Sequence, residues 1–189
     1  MKNLWISIKI TLAMCVVLFV GYVLVLRLVA WVASPNDGEA PVVTYNGKVV
    51  GAANVGQVFT DSVYFWGRPS NVDYNGGGSG GSNKGTNNPE YLAQVEERID
   101  AFLAAHPYLS REEVPAEMVT ASGSGLDPDI SPRGAEVQIR RVAEARGMSV
   151  EEEKRIVDSV TEGPWLGLFG TSKVNVLKLN VALDTAQNK

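Results

Sequence analysis

A glycine-rich stretch contains the clearest match of this chain to a catalytic motif. Residues 77–81 read Gly-Gly-Ser-Gly-Gly, which fits the G-x-S-x-G pattern around the nucleophilic serine of many hydrolases. That serine needs a hydrophobic strand before it, a helix directly after it and a histidine base. Here a polar loop precedes Ser79, more glycine follows it, and the only histidine is His106, which we expect at the exposed end of a helix. The context therefore argues against a serine hydrolase.

Other residues with chemical potential also lack the required spacing. The same stretch continues to Lys84 and Thr86, but the G-x-x-x-x-G-K-[ST] spacing of a phosphate-binding loop is absent. Asp127 and Asp129 could bind calcium, but no 12-residue loop with a terminal glutamate follows, so we interpret both as turn or capping residues. Cys15 is the only cysteine, which excludes an intramolecular disulfide. We predict no catalytic site and no metal site.

The first element of the chain is a long apolar segment. Residues 10–26 carry no charge. As a helix they would span roughly 26 Å, and the flanking apolar residues extend this to the roughly 30 Å of a bilayer core. Lys9 and Arg27 stand at the two ends, where long cationic side chains can reach the headgroups. We predict one transmembrane helix over residues 5–32.

A cleaved secretory signal is the main alternative for this segment. Cleavage after Ala33 would place Trp31 at the −3 position, and cleavage after Ala30 would place Leu28 there. Signal peptidase sites need small residues at that position. We therefore expect the segment to remain as an anchor.

The charge distribution predicts an orientation. Lys2 and Lys9 precede the helix and Arg27 follows it, which favours a cytoplasmic N-terminus in the cell (plasma or inner) membrane. Residues 34–189 contain 14 basic residues against all 21 acidic ones, a net charge of −7. Such an acidic domain is unsuited to nucleic acid or to anionic lipid surfaces. We expect an anchor over residues 1–33 and a soluble, extracytoplasmic α+β domain over residues 34–189.

The soluble domain begins with a hairpin signal and an aromatic segment. Two β-prone runs within residues 42–51 are joined by Asn46-Gly47, the strongest short signal for a hairpin, because both residues tolerate positive φ. Residues 55–66 are rich in apolar and aromatic side chains, and we interpret them as a core strand next to the turn at residues 67–70.

Three helices and a strand are expected after a low-complexity loop at residues 74–88. Each helix has a polar N-cap: Asn88 before a helix to residue 105, Ser131 before a helix ending at Gly147, and Ser149 before a helix to about Val160. A mostly alternating apolar pattern over residues 174–181 predicts a late strand. The predicted fold class is α+β.

Seven motifs then follow one another in a specific order and spacing. They are residues 55–59 (VGQVF), 64–70 (YFWGRPS), 79–83 (SGGSN), 119–127 (VTASGSGLD), 130–132 (ISP), 138–143 (QIRRVA) and 174–180 (VNVLKLN). Over about residues 4–184 the chain resembles the C subunit of the Kdp-type potassium-transporting ATPases. It departs from that pattern at Trp66, where many relatives have a histidine, and residues 162–172 match only loosely.

The resemblance implies an accessory subunit of a high-affinity, ATP-driven potassium import complex. Its partners would be a KdpA-like potassium-translocating subunit, a KdpB-like P-type ATPase subunit phosphorylated on aspartate, a KdpF-like small peptide and the lipid bilayer, with no nucleic acid. The subunit would not be an enzyme by itself. It would have no cofactor of its own, because ATP and potassium would be handled by the complex.

The family offers two functional interpretations. In the first, the subunit is a catalytic chaperone that raises the ATP affinity of the ATPase subunit, with a glutamine contacting the nucleotide; Gln57 and Gln138 are the motif glutamines here. In the second, it is an assembly and gating element on the external face. The predicted orientation conflicts with direct contact to cytosolic ATP. An alternative of another class is a membrane-anchored extracytoplasmic binding module unrelated to potassium transport.

The motif loops supply the residues that we expect to contact partners or to shape the domain. Arg68 offers a forked donor, which could pin its own loop or bind another subunit. The full set is Gly67, Arg68, Pro69, Ser79, Gly80, Gly81, Asn83, Ser122, Gly123, Gly125 and Asp127. Among these, we expect Gly67, Gly123 and Gly125 to use backbone angles closed to other residues.

Overall fold

The computed structural model describes residues 2–187, which divide into two compact units between Pro41 and Val42. The first unit contains one continuous helix, Lys2–Ala33, made of α1 (Lys2–Cys15), a π-helical segment (Val16–Tyr22) and α2 (Val23–Ala33). The helix is long and apolar enough to cross a membrane, and none of its apolar window is buried within the protein. This confirms the predicted N-terminal apolar helix.

The second unit is a small α+β domain, as predicted, and it opens with the expected hairpin. Strand β1 (Val42–Tyr45) pairs antiparallel with β2 (Lys48–Ala52). Asn46 and Gly47 form the turn with φ angles of 49° and 75°. Both lie in the left-handed region that this dipeptide reaches at low cost, so local chemistry determines the hairpin.

The three capped helices are also confirmed. They are α3 (Pro89–Ala105), α4 (Pro132–Arg146) and α5 (Val150–Val160). In each, the N-cap side-chain oxygen accepts a hydrogen bond from a backbone N–H of the first turn: Asn88 from Tyr91, Ser131 from Gly134 and Ser149 from Glu152. Gly147, at φ 67°, ends α4 in the left-handed conformation typical of a helix C-terminus.

The prediction of a long late strand was wrong. Strand β5 covers only Lys173–Asn175, and helix α6 (Val176–Gln187) follows at once. Asn175 causes the change, because its side-chain oxygen accepts a hydrogen bond from the backbone N–H of Lys178 and so caps the helix. Leu179 and Leu183 are then one helical turn apart, and both are fully buried.

A small sheet and the helices enclose the core. The strands β3 (Asp129–Ile130), β4 (Thr161–Glu162) and β5 are antiparallel in the order β3-β5-β4. The fully buried apolar side chains come from the aromatic segment, the sheet and two helices: Phe65, Ala135, Val142, Val174, Leu179 and Leu183.

The aromatic segment, residues 55–66, is not the strand that was predicted. Two side-chain amides occupy the places that a neighbouring strand would take. The Asn180 amide accepts from the N–H of Phe65 at 2.9 Å and donates to its carbonyl at 3.0 Å. The Gln138 amide does the same for Trp66, at 2.8 and 3.2 Å. Because these bonds satisfy the buried backbone, the segment can run through the domain without a sheet.

Candidate interaction site formed by three loops

Three motif loops lie together on the domain, and we call residues 67–70, 79–83 and 122–127 the three-loop cluster. Arg68 links the first loop to the third, because its Nη1 donates to Oδ2 of Asp127 at 2.9 Å. The other carboxylate oxygen of Asp127 accepts from the backbone N–H of Asp129 at 3.1 Å, which forms a local turn. Arg68 therefore has a partner within its own domain.

Ser70 and Pro69 add further links between the same loops. The Ser70 hydroxyl donates to the carbonyl of Gly125 at 2.6 Å and accepts from the N–H groups of Val72 and Tyr74. The carbonyl of Pro69 accepts from the N–H of Ser122 at 3.2 Å. The first loop is thus fixed by side-chain and backbone bonds at successive residues.

The second loop binds the third through a single carbonyl. The N–H of Gly80 and the hydroxyl of Ser79 both donate to the carbonyl of Ser124, at 2.9 and 3.1 Å. Asn83, exposed and at φ 54°, follows in the same loop. Ser79 therefore serves as a loop-shaping hydrogen-bond donor.

Close approach of the loops explains two of the glycines. Gly125 has φ 68°, and a Cβ there would lie 2.6 Å from a methyl group of Val72. A Cβ on Gly81 would lie 3.1 Å from the carbonyl oxygen of Gly123. Gly67 and Gly123 do not adopt positive φ angles, so among the three glycines expected to need unusual backbone angles only Gly125 does.

Gln138, in α4, binds Trp66 next to the first loop and has no exposed surface. Its oxygen accepts from the N–H of Trp66 and from Nη2 of Arg141, each within 2.9 Å, and its nitrogen donates to the carbonyls of Trp66 and Gly134. These four bonds use the full hydrogen-bonding capacity of the amide. A nucleotide contact by Gln138 would have to break them.

Gln57 lies beside the cluster. It is half-buried and packs so closely against Gly51 that a Cβ at that glycine would collide with its amide. The neighbouring Gly56 donates its N–H to the carbonyl of Leu126 at 2.7 Å. The two motif glutamines thus have different surroundings, and only Gln57 retains exposed surface.

The expectation of an exposed His106 was wrong, because the residue has no exposed surface. Its ring stacks on Phe102 with centroids 4.1 Å apart, and Nδ1 donates to the Phe102 carbonyl at 2.7 Å. Nε2 accepts from Nε of Arg141 at 2.9 Å. Burial lowers the pKa of His106 to about 4, so the imidazole is neutral, and both nitrogens are engaged within the fold.

Two arginines of α4 hold the aromatic segment, and the sequence reasoning missed them. Arg141 donates to the carbonyls of Ser62 and Tyr64 and stacks 4.3 Å from the Trp66 ring centroid, while burial lowers its pKa to about 10. Arg146 donates to the carbonyl of Val63 at 2.6 Å. The signal for Arg141 was its position three residues after Gln138, which puts both on one helix face.

The cluster presents loop backbone and uncharged side chains at the surface of the domain. Its polar groups bond mainly to one another, and its exposed positions, among them Ser79, Asn83 and Gly123, carry no charge. Within residues 2–187, no group of three or more His, Cys, Asp or Glu side chains is placed to hold a metal ion. The arrangement offers a rigid, nearly neutral surface of loop backbone.

Comparisons with a family model and with individual proteins all point to the same family. Residues 4–185 match the family model described as K+-transporting ATPase, c chain. The chain is 65% identical to the potassium-transporting ATPase KdpC subunit of Bacteroides fragilis, with 100% of both chains covered. It is 55% identical to the KdpC subunit of Flavobacterium psychrophilum over 97% of this chain and 98% of the relative. It is 45% identical to that of Caldanaerobacter subterraneus over 94% and 92%.

Proposed function

The chain belongs to the KdpC family, the c chain of the K+-transporting ATPase, and from that premise we propose that it is a non-catalytic subunit that docks on its partners through the three-loop cluster. Membership makes it a subunit of a potassium-transporting complex and decides against the alternative of a binding module unrelated to potassium transport. The proposed partners are a KdpA-like potassium-translocating subunit, a KdpB-like P-type ATPase subunit and a KdpF-like small peptide.

One observation carries the proposal: the candidate polar side chains, including those that join the three loops, bond to other groups inside the domain. The amide of Gln138 and both nitrogens of His106 bind protein groups, and both side chains lack exposed surface. Catalysis requires groups that can reach a substrate. The Arg68–Asp127 pair and the hydroxyls of Ser70 and Ser79, which join the three loops to one another, are instead suited to present a defined surface to another subunit.

We place the domain outside the cytoplasm, in line with the lysines before the helix and the acidic composition after it. Any effect on ATP affinity would then act across the membrane. If ATP and this subunit favour the same global state of the pump, each raises the affinity of the other by an equal factor without contact. ATP and potassium are thus handled by the partners, and this chain needs no cofactor of its own.

The test is a pair of binding measurements on the complex. Removing the chain should raise the Kd of the ATPase subunit for ATP by about 5- to 150-fold, the usual range of allosteric coupling. Saturating ATP should tighten binding of the chain to the other subunits by the same factor. The isolated full-length chain should bind no ATP in calorimetry. Saturable binding that Gln57→Leu abolishes would overturn the proposal in favour of direct contact.

A further inference from the structure

An exposed apolar turn lies between β4 and β5, and we call residues 165–169 the apolar tip. Four of its five residues have large apolar side chains, and these are strongly exposed: Trp165 70%, Leu166 71%, Leu168 80% and Phe169 61%. Single exposed apolar residues are common on protein surfaces, but four within five residues indicate a contact with something apolar.

The backbone of the tip is closed on itself. Trp165 and Phe169 exchange hydrogen bonds of 2.8 and 3.0 Å, and their rings lie 5.7 Å apart. The N–H groups of Gly167 and Leu168 donate to the carbonyls of Pro164 and Trp165. These bonds pair the backbone groups of Trp165 and Phe169, so the tip can meet the lipid–water interface as a folded turn, where its remaining backbone groups can still reach water.

The tip is uncharged in an otherwise acidic domain. Residues 163–172 contain no ionisable side chain. The nearest charged residues on either side are Glu162 and Lys173, and Oε2 of Glu162 lies 3.7 Å from Nζ of Lys173. The other carboxylate oxygen of Glu162 pairs with Nζ of Lys178 at 2.8 Å. Attraction to a charged partner therefore cannot account for the exposure of these apolar side chains, whereas contact with an apolar partner can.

Chain connectivity limits how far the α+β domain can move from a bilayer that holds the apolar helix. Eight residues, 34–41, separate the apolar helix from strand β1, and eight residues reach at most about 28 Å. A domain on so short a tether experiences a high effective concentration of membrane surface. Trp and Phe are also the side chains that favour the lipid–water interface.

We propose that the apolar tip inserts into the lipid–water interface of the bilayer that holds the N-terminal helix, as a second attachment point of the domain. Lipid is favoured as the occupant because the one polar side-chain group of the tip is the indole N–H of Trp165, and a large apolar ring with a single polar end is typical of the lipid–water interface. The net charge of the domain does not oppose the contact, because insertion of an uncharged turn does not require anionic headgroups.

Depth-dependent fluorescence quenching on the full-length chain tests this proposal. Leu168→Cys, in a Cys15→Ser background, carries a bimane label, and the chain is reconstituted alone into phosphatidylcholine vesicles with doxyl-labelled lipids. Val49→Cys is the matched control, since Val49 is 63% exposed and lies outside the tip, next to the charged Lys48 of the hairpin. We expect at least twofold stronger quenching at position 168, and Leu166→Ser should reduce it.

Equal or absent quenching at the two positions would overturn the proposal. So would a label at position 168 that is unquenched in vesicles but shielded from aqueous iodide only when the whole transporter is assembled. That result would assign the tip to a pocket of another subunit. Quenching that requires anionic lipid would contradict the argument from charge.

Discussion

Two ionisable side chains without exposed surface, His106 and Glu153, contribute in opposite directions to the response of the domain to pH. Burial lowers the pKa of His106 to about 4 and raises that of Glu153 to about 7. Neutral His106 therefore contributes stability above about pH 6.5, which is lost as the pH falls towards 4. Protonated Glu153 contributes stability below about pH 4.5, which is lost as the pH rises through 7.

Glu153→Gln should stabilise the domain at pH 8 and have little effect at pH 4.5. Neither carboxylate oxygen of Glu153 has a hydrogen-bond partner within the described part of the chain, so the substitution removes a buried, unpaired charge at high pH. We expect a gain on the order of 1 kcal/mol, or a rise in Tm of about 3 °C, at pH 8. Thermal melts of the full chain across this pH range measure it.

Glu151→Gln is the control, because Glu151 lies in the same helical turn but is exposed. It should change Tm by a similar small amount at both pH values. A Glu153→Gln variant whose Tm difference from the unsubstituted chain does not increase with pH would show that the buried carboxylate is not destabilising.

At the scale of elements, irregular segments take the role that sheets have in many domains. The three-loop cluster and the aromatic segment contribute little regular structure, yet side-chain bonds from α4, α6 and Arg68 fix them. Such bonds depend on the geometry of individual groups. A substitution that keeps the charge or polarity of such a side chain but changes its shape should therefore lower the free energy of unfolding of the domain.

Arg68→Lys should weaken the link between the first and third loops. Both partners of the Arg68–Asp127 pair are only about a quarter to a third exposed, and the bond runs from Nη1 at the far end of the guanidinium, which the shorter lysine side chain does not reach in the same geometry. We expect a loss of about 1 kcal/mol in the free energy of unfolding, together with a lower yield of assembled complex.

Arg133→Lys is the matched control, because Arg133 pairs with Glu136 through a single nitrogen on an exposed surface where ion pairs contribute little. A fall in complex yield without a change in Tm for Arg68→Lys would identify a subunit contact. Unchanged Tm, yield and potassium uptake would reject both roles of Arg68.

At the scale of the whole molecule, the central question is on which side of the membrane the α+β domain lies. Two lysines precede the apolar helix, Arg27 follows it, and the domain is acidic. These charges favour an external domain. An external domain would require the proposed effect on ATP to be transmitted by linkage rather than by contact.

Cysteine labelling in intact spheroplasts should show the domain outside. In a Cys15→Ser background, Thr86→Cys, at an exposed loop position, should react with a membrane-impermeant maleimide. Asn3→Cys, at the start of the helix, should react only after the membrane is opened. The reverse pattern would place the domain in the cytoplasm and revive direct contact with the nucleotide-binding subunit.

The sequence by itself determined the features that depend on neighbouring residues. Asn46-Gly47 specified a hairpin, and Asn88, Ser131 and Ser149 specified helix starts, because turn angles and N-caps involve groups only a few residues apart. The apolar N-terminal helix followed from composition alone. The order of the motifs was sufficient to indicate the family.

Only the tertiary structure decided features whose partners are distant in the chain. Gln138 reaches Trp66 across 72 residues, and Asn180 reaches Phe65 across 115, so no local pattern revealed that side-chain amides replace a strand there. His106 is buried because Arg141 and Phe102 surround it, although its neighbours in sequence resemble an exposed helix end. Burial and pairing depend on long-range packing, which local periodicity does not encode.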